Sequence, residues 1–175
     1  VFKAISILNS PKMRNLGARH ITISTSGIVP GILDLAEFPL PVRLSVSLHA
    51  PNDALRSKIM PVNRKYPLGP LVNALRTYQQ KTGERITLEY VMIQKVNDET
   101  ELAYEMAALL SGLGVYVNLI PYNPVKDVYQ RSTPERIKAF AAVLTQLGIE
   151  TAIRREKGTD INAACGQLRR RELQN

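Results

Sequence analysis

The residue best suited to covalent chemistry is Cys165, the single cysteine of the 175-residue chain. It lies in the run Asn162-Ala163-Ala164-Cys165-Gly166-Gln167-Leu168, whose small residues let another group approach closely. Basic residues flank this run at positions 154, 155 and 157 and again at 169–171. Positive neighbours favour the thiolate, which is the nucleophilic form of cysteine. A lone cysteine can equally be a small buried hydrophobic residue, so these neighbours leave both interpretations open.

Polar side chains also occur where predicted strands end. Strands over 21–24, 43–49 and 115–120 end at, or are followed closely by, Ser24, Ser47, Leu48, His49 and Asn123. In parallel α/β proteins the carboxyl ends of the strands form the active edge. Hydroxyl, imidazole and amide groups placed there could hold a polar small molecule by hydrogen bonds. Each has a structural alternative: the serines and Asn123 as turn or cap residues, and His49 as a partner of a loop carbonyl.

A third candidate is Glu89, which interrupts an apolar strand predicted over 86–93. A carboxylate that faces a barrel interior must be paired or must face a water-filled site. Metal chemistry within this chain is not supported, because the two histidines, His20 and His49, lie far apart and Cys165 is alone. These residues do not make a zinc or iron–sulfur ligand set, so we predict no metal ligands here.

The elements that must position these groups alternate along the chain. We predict the end of a helix over 1–10, a short apolar segment over 32–36, a helix to 60 capped by Asn52 or Asp53, a loop over 61–70 and a helix over 71–83. Asn97-Asp98 are predicted to cap the next helix, and Ser132 with Glu135 to form a capping box before a helix with a buried stripe of Ile137, Phe140, Leu144 and Leu147. A last strand spans 149–153.

Five strands separated by helices predict an α/β protein with a parallel sheet. Two architectures fit, part of a (β/α) barrel or a five-stranded doubly wound sheet. The second usually carries a glycine-rich phosphate turn after its first strand, and no such G-x-G-x-x-G turn occurs here. The pattern therefore favours a barrel segment.

Composition limits the class of protein. A length of 175 residues suits one domain, and 45% hydrophobic with 22% charged residues is ordinary for a soluble protein. The net charge of +8 makes nucleic acid the leading partner. One cysteine indicates a reducing, cytoplasmic setting, and without a long apolar run we expect no membrane partner. The chain starts at Val1 inside an apolar pattern, so we expect it to be part of a longer protein.

With these residues identified, the chain resembles the C-terminal part of the RlmN/Cfr family of radical S-adenosylmethionine enzymes. The resemblance rests on ordered stretches at 17–27, 46–53, 60–64, 88–91, 96–98, 117–124 and 153–168, the last being the longest and most specific. It implies a partial (β/α) barrel of the radical S-adenosylmethionine type, in which residues 1–175 form one domain ending in a basic tail over about 154–175. It also implies methylation of adenine in 23S rRNA and, in one branch, tRNA.

The resemblance implies roles for individual residues. Ser24, the run Ser47-Leu48-His49 and Asn123 would contact S-adenosylmethionine, and Cys165 would carry the methyl group as S-methylcysteine. A [4Fe-4S] cluster, fed by an electron donor, would cleave a second S-adenosylmethionine. The family's Cys-x3-Cys-x2-Cys motif, Gly-Glu segment and resolving cysteine are absent from this sequence, so cluster ligands are expected upstream and this chain alone is expected to be inactive.

Three alternatives remain open at this point. The first is methylation at carbon 8 of adenine in place of carbon 2, although the residues around Cys165 are closer to the carbon-2 branch. The second is a basic RNA-binding module without catalysis, and the third is an unrelated barrel enzyme with an inert cysteine. We expect a monomeric protein.

Overall fold

The computed structural model describes residues 1–124 and 128–154, in which strands and helices alternate. The strands are β1 (Thr22–Thr25), β2 (Arg43–Ser47), β3 (Ile86–Met92), β4 (Val115–Pro121) and β5 (Glu150–Ile153). The α-helices are α1 (Phe2–Asn9), α2 (Val29–Ala36), α3 (Asp53–Ile59), α4 (Leu68–Thr82), α5 (Thr100–Leu109) and α6 (Pro134–Gln146), with 3₁₀ turns at Ala18–His20 and Pro61–Arg64. Of the helices in this part of the chain, none is long and apolar enough to cross a membrane.

The sheet is parallel throughout, and its strand order is the chain order, β1-β2-β3-β4-β5. Right-handed crossovers in an order that never reverses place all the connecting helices on one face of the sheet. In agreement, α2 packs against α4 and α5 packs against α6. A doubly wound sheet would reverse its order at a switch point. The prediction of a partial barrel is therefore confirmed.

The core lies between the sheet and these helices. Along β3 every second side chain is fully buried, namely Ile86, Leu88, Tyr90 and Met92. This period of two is what a strand covered on one face requires. From the helix side, Phe140 of α6 packs on Tyr90 with ring centroids 5.1 Å apart. Tyr78 of α4 is fully buried, and its hydroxyl donates to the Val42 carbonyl at 2.6 Å.

Two helix predictions need correction. The segment 61–70 is not a loop throughout, because a 3₁₀ turn spans Pro61–Arg64 and α4 begins at Leu68. Proline is compatible with the first turn of a helix, where its missing N–H removes no hydrogen bond. Leu147 is 47% exposed and not part of the buried stripe. Leu147 is the C-cap that follows the last residue of α6, and its backbone angles are no longer those of the helix.

Two capping predictions are also wrong, whereas a third is confirmed. Asn52 caps α3 through a 2.9 Å bond from the Leu55 amide to its side-chain oxygen. The N-cap of α5 is Glu99, not Asn97 or Asp98, and that of α6 is Thr133, not Ser132. Both misassigned sites hold buried polar residues, and Asp98 pairs instead with Arg136 of α6 at 2.9 Å.

Candidate functional site

The face of the sheet away from the helices carries polar side chains that the strand register places in rows. Ser24 of β1 lies beside Ser45 of β2. Further toward the carboxyl edge, Ser47 lies beside Glu89, and Glu89 lies beside Asn118 of β4. These groups are exposed or partly buried, apart from the buried Ser45.

The carboxylate of Glu89 is paired on both sides. Ser45 Oγ donates to Glu89 Oε1 at 3.1 Å, and Asn118 Nδ2 donates to Glu89 Oε2 at 2.8 Å. Each oxygen of the carboxyl group thus accepts a hydrogen bond from a side chain of a neighbouring strand. The paired alternative predicted for Glu89 is therefore confirmed, and Glu89 links three strands across the open face.

Sequence reasoning missed Arg56, which lies on α3 and is fully buried. Its Nε donates to the Leu48 carbonyl at 3.0 Å, and its Nη2 donates to the carbonyls of Ser26 and Ser47 at 2.9 and 3.0 Å. Its Nη1 donates to Asn63 Oδ1 at 2.8 Å. Nothing in the sequence distinguishes this arginine from a surface one, because its partners are mostly backbone atoms of other elements.

The surroundings of Arg56 are themselves held in place. Asn63 Nδ2 donates to Asp53 Oδ1 and to Ser57 Oγ, both at 2.9 Å. Asp53 Oδ1 also accepts from the Leu68 amide at 2.8 Å. Burial lowers the pKa of the Arg56 guanidinium, and the charge of Asp53 opposes that effect. Since arginine stays charged in proteins, α3 presents a buried cation beneath the ends of β1 and β2.

His49 directly follows the residues that Arg56 holds, and its backbone is left-handed with φ of +58°. A left-handed non-glycine residue costs about 1 kcal/mol or more and persists where its surroundings hold it. The backbone amide of Val91 donates to His49 Nδ1 at 3.2 Å. Burial and, secondly, the charge of Arg56 lower the pKa of His49 to about 4, although the Glu89 backbone acts in the opposite direction. The imidazole is therefore neutral at pH 7.

Asn97, predicted as a helix cap, instead forms hydrogen bonds at the carboxyl ends of β2 and β3. Its Nδ2 donates to the carbonyls of His49 and Val91 at 2.8 and 2.6 Å, and its Oδ1 accepts from the Ile93 amide at 2.7 Å. Its own carbonyl accepts from the Tyr90 hydroxyl at 2.8 Å. Asn97 is fully buried, so one amide side chain ties the end of β3 to the left-handed residue after β2.

The predicted contact residues lie at the carboxyl edge, in different surroundings. Ser24 is exposed, and Ser47 and Asn123 are partly buried; within the described residues their side chains make no hydrogen bond. Leu48 packs in the core, its amide donates to the Glu89 carbonyl, and its carbonyl accepts from Arg56. Asn123 follows Tyr122, whose amide donates to the Met92 carbonyl at the end of β3. Cys165, the predicted methyl carrier, lies outside the described residues.

The edge spans three strand spacings from β1 to β4, about 14 Å. Among residues 1–124 and 128–154, no three His, Cys, Asp or Glu side chains are grouped closely enough to hold a metal ion. The polar groups at this edge are suited to recognise a ligand by hydrogen bonds.

Comparison with solved structures defines the class. The crystal structure of a radical SAM methyltransferase from Sphaerobacter thermophilus matches 93% of this chain and 48% of that one, with 51% identity and a TM-score of 0.89. A domain of pyruvate-formate lyase-activating enzyme from Bacteroides vulgatus matches with a TM-score of 0.64 at 16% identity, which shows the shared fold alone. The fold is thus the partial barrel of radical S-adenosylmethionine proteins.

Comparison with curated proteins identifies the family within that class. The chain is 52% identical over 173 residues to the probable dual-specificity RNA methyltransferase RlmN of Symbiobacterium thermophilum. It is 54% identical over 172 residues to the protein of the same name from Caldicellulosiruptor saccharolyticus. These alignments cover 98% of this chain and 47% and 50% of the relatives, so the chain spans about half their length. A scan against family models finds no match. The chain belongs to the RlmN family, and the predicted resemblance is confirmed.

Proposed function

We propose that this chain forms the S-adenosylmethionine-binding part of a radical RNA methyltransferase that methylates carbon 2 of adenine in 23S rRNA. The observation that carries this proposal is a set of polar side chains without hydrogen bonds among the described residues, Ser24, Ser47 and Asn123, at the carboxyl edge of a radical-type barrel. Ligands of α/β proteins bind at this edge of the strands. tRNA is a second candidate substrate.

The electrostatics of the edge suit a cationic sulfonium ligand. His49 is neutral at pH 7 because its pKa is lowered to about 4. The charge of Arg56 is buried and directed at backbone carbonyls. The only acidic group on the polar rows named above is Glu89, a paired carboxylate. A cationic ligand at this edge would therefore lie near hydrogen-bond acceptors and the carboxylate of Glu89. The neutral His49 would not repel it.

The described residues do not fit a [4Fe-4S] cluster, since they contain no cysteine and no grouped set of ligands. Cluster ligands would have to come from residues outside this chain, as would the contact with an electron donor. We therefore assign the chain no step of the reductive chemistry. Its proposed part is to bind and orient the cofactor and to accept a methyl group.

Cys165 is the proposed acceptor of that methyl group. Its thiolate would form a carbon–sulfur bond to the methyl group as the sulfonium–methyl bond breaks, leaving S-adenosylhomocysteine. Flanking cations favour the thiolate, and alanine and glycine neighbours leave room for an RNA base to approach. A base inside a helix must be unstacked before it can be modified.

RNA binding without catalysis is the second candidate function, and the net charge of +8 favours it. Further cations lie in the same connection between β2 and β3 as the buried Arg56, at Lys58, Arg64 and Lys65. These side chains could neutralise phosphates under either proposal. The cytoplasmic location and the monomeric state remain predictions.

A chimera tests the proposed function. This chain replaces the matching 173-residue region of the Symbiobacterium thermophilum RlmN protein, and the chimera is expressed in cells that lack their own enzyme. Mass spectrometry of 23S rRNA and tRNA is expected to detect 2-methyladenosine, and Cys165→Ala is expected to abolish it. Ser111→Ala, an exposed substitution far from the edge, is the matched control, and the unaltered relative is the positive control.

Each other outcome has a definite meaning. 8-Methyladenosine would establish the carbon-8 alternative, and product that survives Cys165→Ala would remove the methyl-carrier role. A folded chimera that binds RNA but makes no product would favour the RNA-binding module. A folded chimera that neither binds RNA nor makes product would contradict both proposals.

A further inference from the structure

The hydrogen-bonded ladder between β1 and β2 stops short of Ser47 and His49, two of the residues proposed to contact the cofactor. Its last register pair is Thr25 with Val46. One residue further along each strand, the carbonyls of Ser26 and Ser47 both accept from the same atom, Nη2 of Arg56, at 2.9 and 3.0 Å. A side chain thus takes over the connection between the two strands where the backbone ladder ends.

Arg56 also holds the next residue after β2, because its Nε donates to the Leu48 carbonyl at 3.0 Å. His49 follows with its left-handed backbone, φ of +58°. The guanidinium therefore fixes the carbonyls of Ser26, Ser47 and Leu48, which lie at the ends of β1 and β2 next to the left-handed His49. The proposed contact residues Ser47 and His49 lie on or beside these positions.

We infer that Arg56 is a positioning residue for the proposed cofactor site: it sets the carboxyl ends of β1 and β2 relative to each other without touching the ligand. This inference rests on the proposed function. Arg56 is 0% exposed, so it does not contact a ligand, and it acts on the position of the site through Ser26, Ser47 and Leu48.

A lysine is a poor substitute in this position. The guanidinium is planar and offers donors in a fixed fork, whereas an ammonium group is a single point with three donors. Lysine cannot replace the Nε bond to Leu48, the Nη1 bond to Asn63 and the Nη2 bonds at once. The backbone around Arg56 is also shaped for it, because a Cβ on Gly27 would lie 2.9 Å from Nη2.

The test uses the chimera described above with Arg56→Lys, and with Arg76→Lys as the matched control. Arg76 is exposed and makes two long contacts of 3.4 Å, to Asn73 Oδ1 and to the Ser111 carbonyl. Isothermal titration with S-adenosylmethionine is expected to give a Kd raised about tenfold or more in Arg56→Lys, from the loss of charged hydrogen bonds. Arg76→Lys is expected to leave the Kd unchanged.

Two further readouts separate positioning from mere stability. KM for S-adenosylmethionine is expected to rise more than kcat falls. Amide hydrogen exchange is expected to speed up at Leu48 and Val91 while amides in the middle of β3 and β4 keep their protection. A Kd and KM unchanged in a folded Arg56→Lys protein would overturn the inference, whatever its thermal stability.

A second variant covers the case in which Arg56→Lys does not fold. Gly27→Ala retains Arg56 but crowds its Nη2, so it is expected to weaken binding in the same direction. Unchanged binding in a Gly27→Ala variant that is destabilised more than Gly83→Ala also overturns the inference. If the unsubstituted chimera folds but binds no S-adenosylmethionine, the proposed function fails. Hydrogen exchange at Leu48 then decides the role of Arg56 alone, and unchanged exchange in the variants rejects it.

Discussion

The Nδ1 atom of His49 lies 3.2 Å from the backbone nitrogen of Val91 and accepts its hydrogen bond. A backbone amide can only donate, so this contact requires a ring nitrogen without a proton. The side chain that follows β2 is therefore tied to the end of β3 in its neutral form. Protonation of His49 and this contact between β2 and β3 exclude each other.

The first prediction is a loss of stability in acid. The pKa of His49 is lowered from 6.5 to about 4, so the unfolded state binds more protons than the folded state between these values. Stability from this group is complete above about pH 6.5 and falls as the pH drops toward 4, by about 3 kcal/mol at most. Urea unfolding of this chain and its His49→Gln variant from pH 7 to pH 4 measures the difference.

The same prediction has a direct spectroscopic check. The chain has two histidines, so a proton NMR titration contains two imidazole signals, which a His20→Gln variant assigns. The His49 signal is expected to titrate near pH 4. A midpoint near the ordinary histidine value would show that its ring is solvated and not bonded to Val91.

The second prediction concerns Asn97. Asn97→Asp places a carboxylate oxygen against the carbonyls of His49 and Val91, where the native amide donates. An unpaired buried charge is expected to cost about 3 kcal/mol or more. The matched control is Asn73→Asp, at an exposed position of α4, with an expected change within about 0.5 kcal/mol. Equal urea midpoints for the two variants would contradict the role assigned to Asn97.

The third prediction is coupling between Glu89 and Asn118, whose side chains are 2.8 Å apart. A double-mutant cycle to alanine is expected to give about 0.5–1.5 kcal/mol. Because this is a short, partly buried hydrogen bond, the coupling should persist in concentrated salt. The exposed pair Arg19–Glu84, at 3.2 Å, is the control, and its smaller coupling should fade as salt screens it. Additive effects at Glu89 and Asn118 would show that the pair does not link β3 and β4.

The fourth prediction compares two glycines with positive φ. Gly83 has φ of +68° and open space where a Cβ would lie, so Gly83→Ala should cost about 1 kcal/mol for its backbone alone. Gly27 has φ of +100°, and a Cβ there would meet Arg56 Nη2 at 2.9 Å and Leu71 Cδ2 at 3.2 Å. Gly27→Ala should cost about 2–3 kcal/mol. The difference in unfolding free energy measures the crowding at Arg56 and Leu71 together with the larger φ of Gly27, and no difference would mean that these contacts relax freely.

Local patterns in the sequence were sufficient to predict the strands of the sheet. The alternation in β3 predicts its buried face, and Asn52 predicts the start of α3. Glycines that end helices, such as Gly83 and Gly148, do adopt the positive φ that such ends require. Each of these features depends on residues within a few positions of one another. Helix and strand propensities and the hydrophobic period can be recognised over such short stretches.

The positions of Ser24, Ser47, His49 and Asn123 at one edge were also predictable, because parallel strands bring their carboxyl ends to the same side. The hydrogen bonds that hold these residues in place were not predictable. Arg56 reaches Ser26 across 30 residues, and Asn97 reaches His49 across 48. In the sequence the first looks like a surface cation and the second like a helix cap.

The chain's own residue order thus determined its class, its strands and the groups available for chemistry, through short-range periodicity and the matches to RlmN. Only the tertiary structure decided which polar residues are buried and what they bond. A buried hydrogen-bond partner is selected by distance in space, which the fold sets and local sequence does not encode. For that reason Arg56, Asn97 and the neutral state of His49 became visible only when the ends of β1, β2 and β3 were brought together.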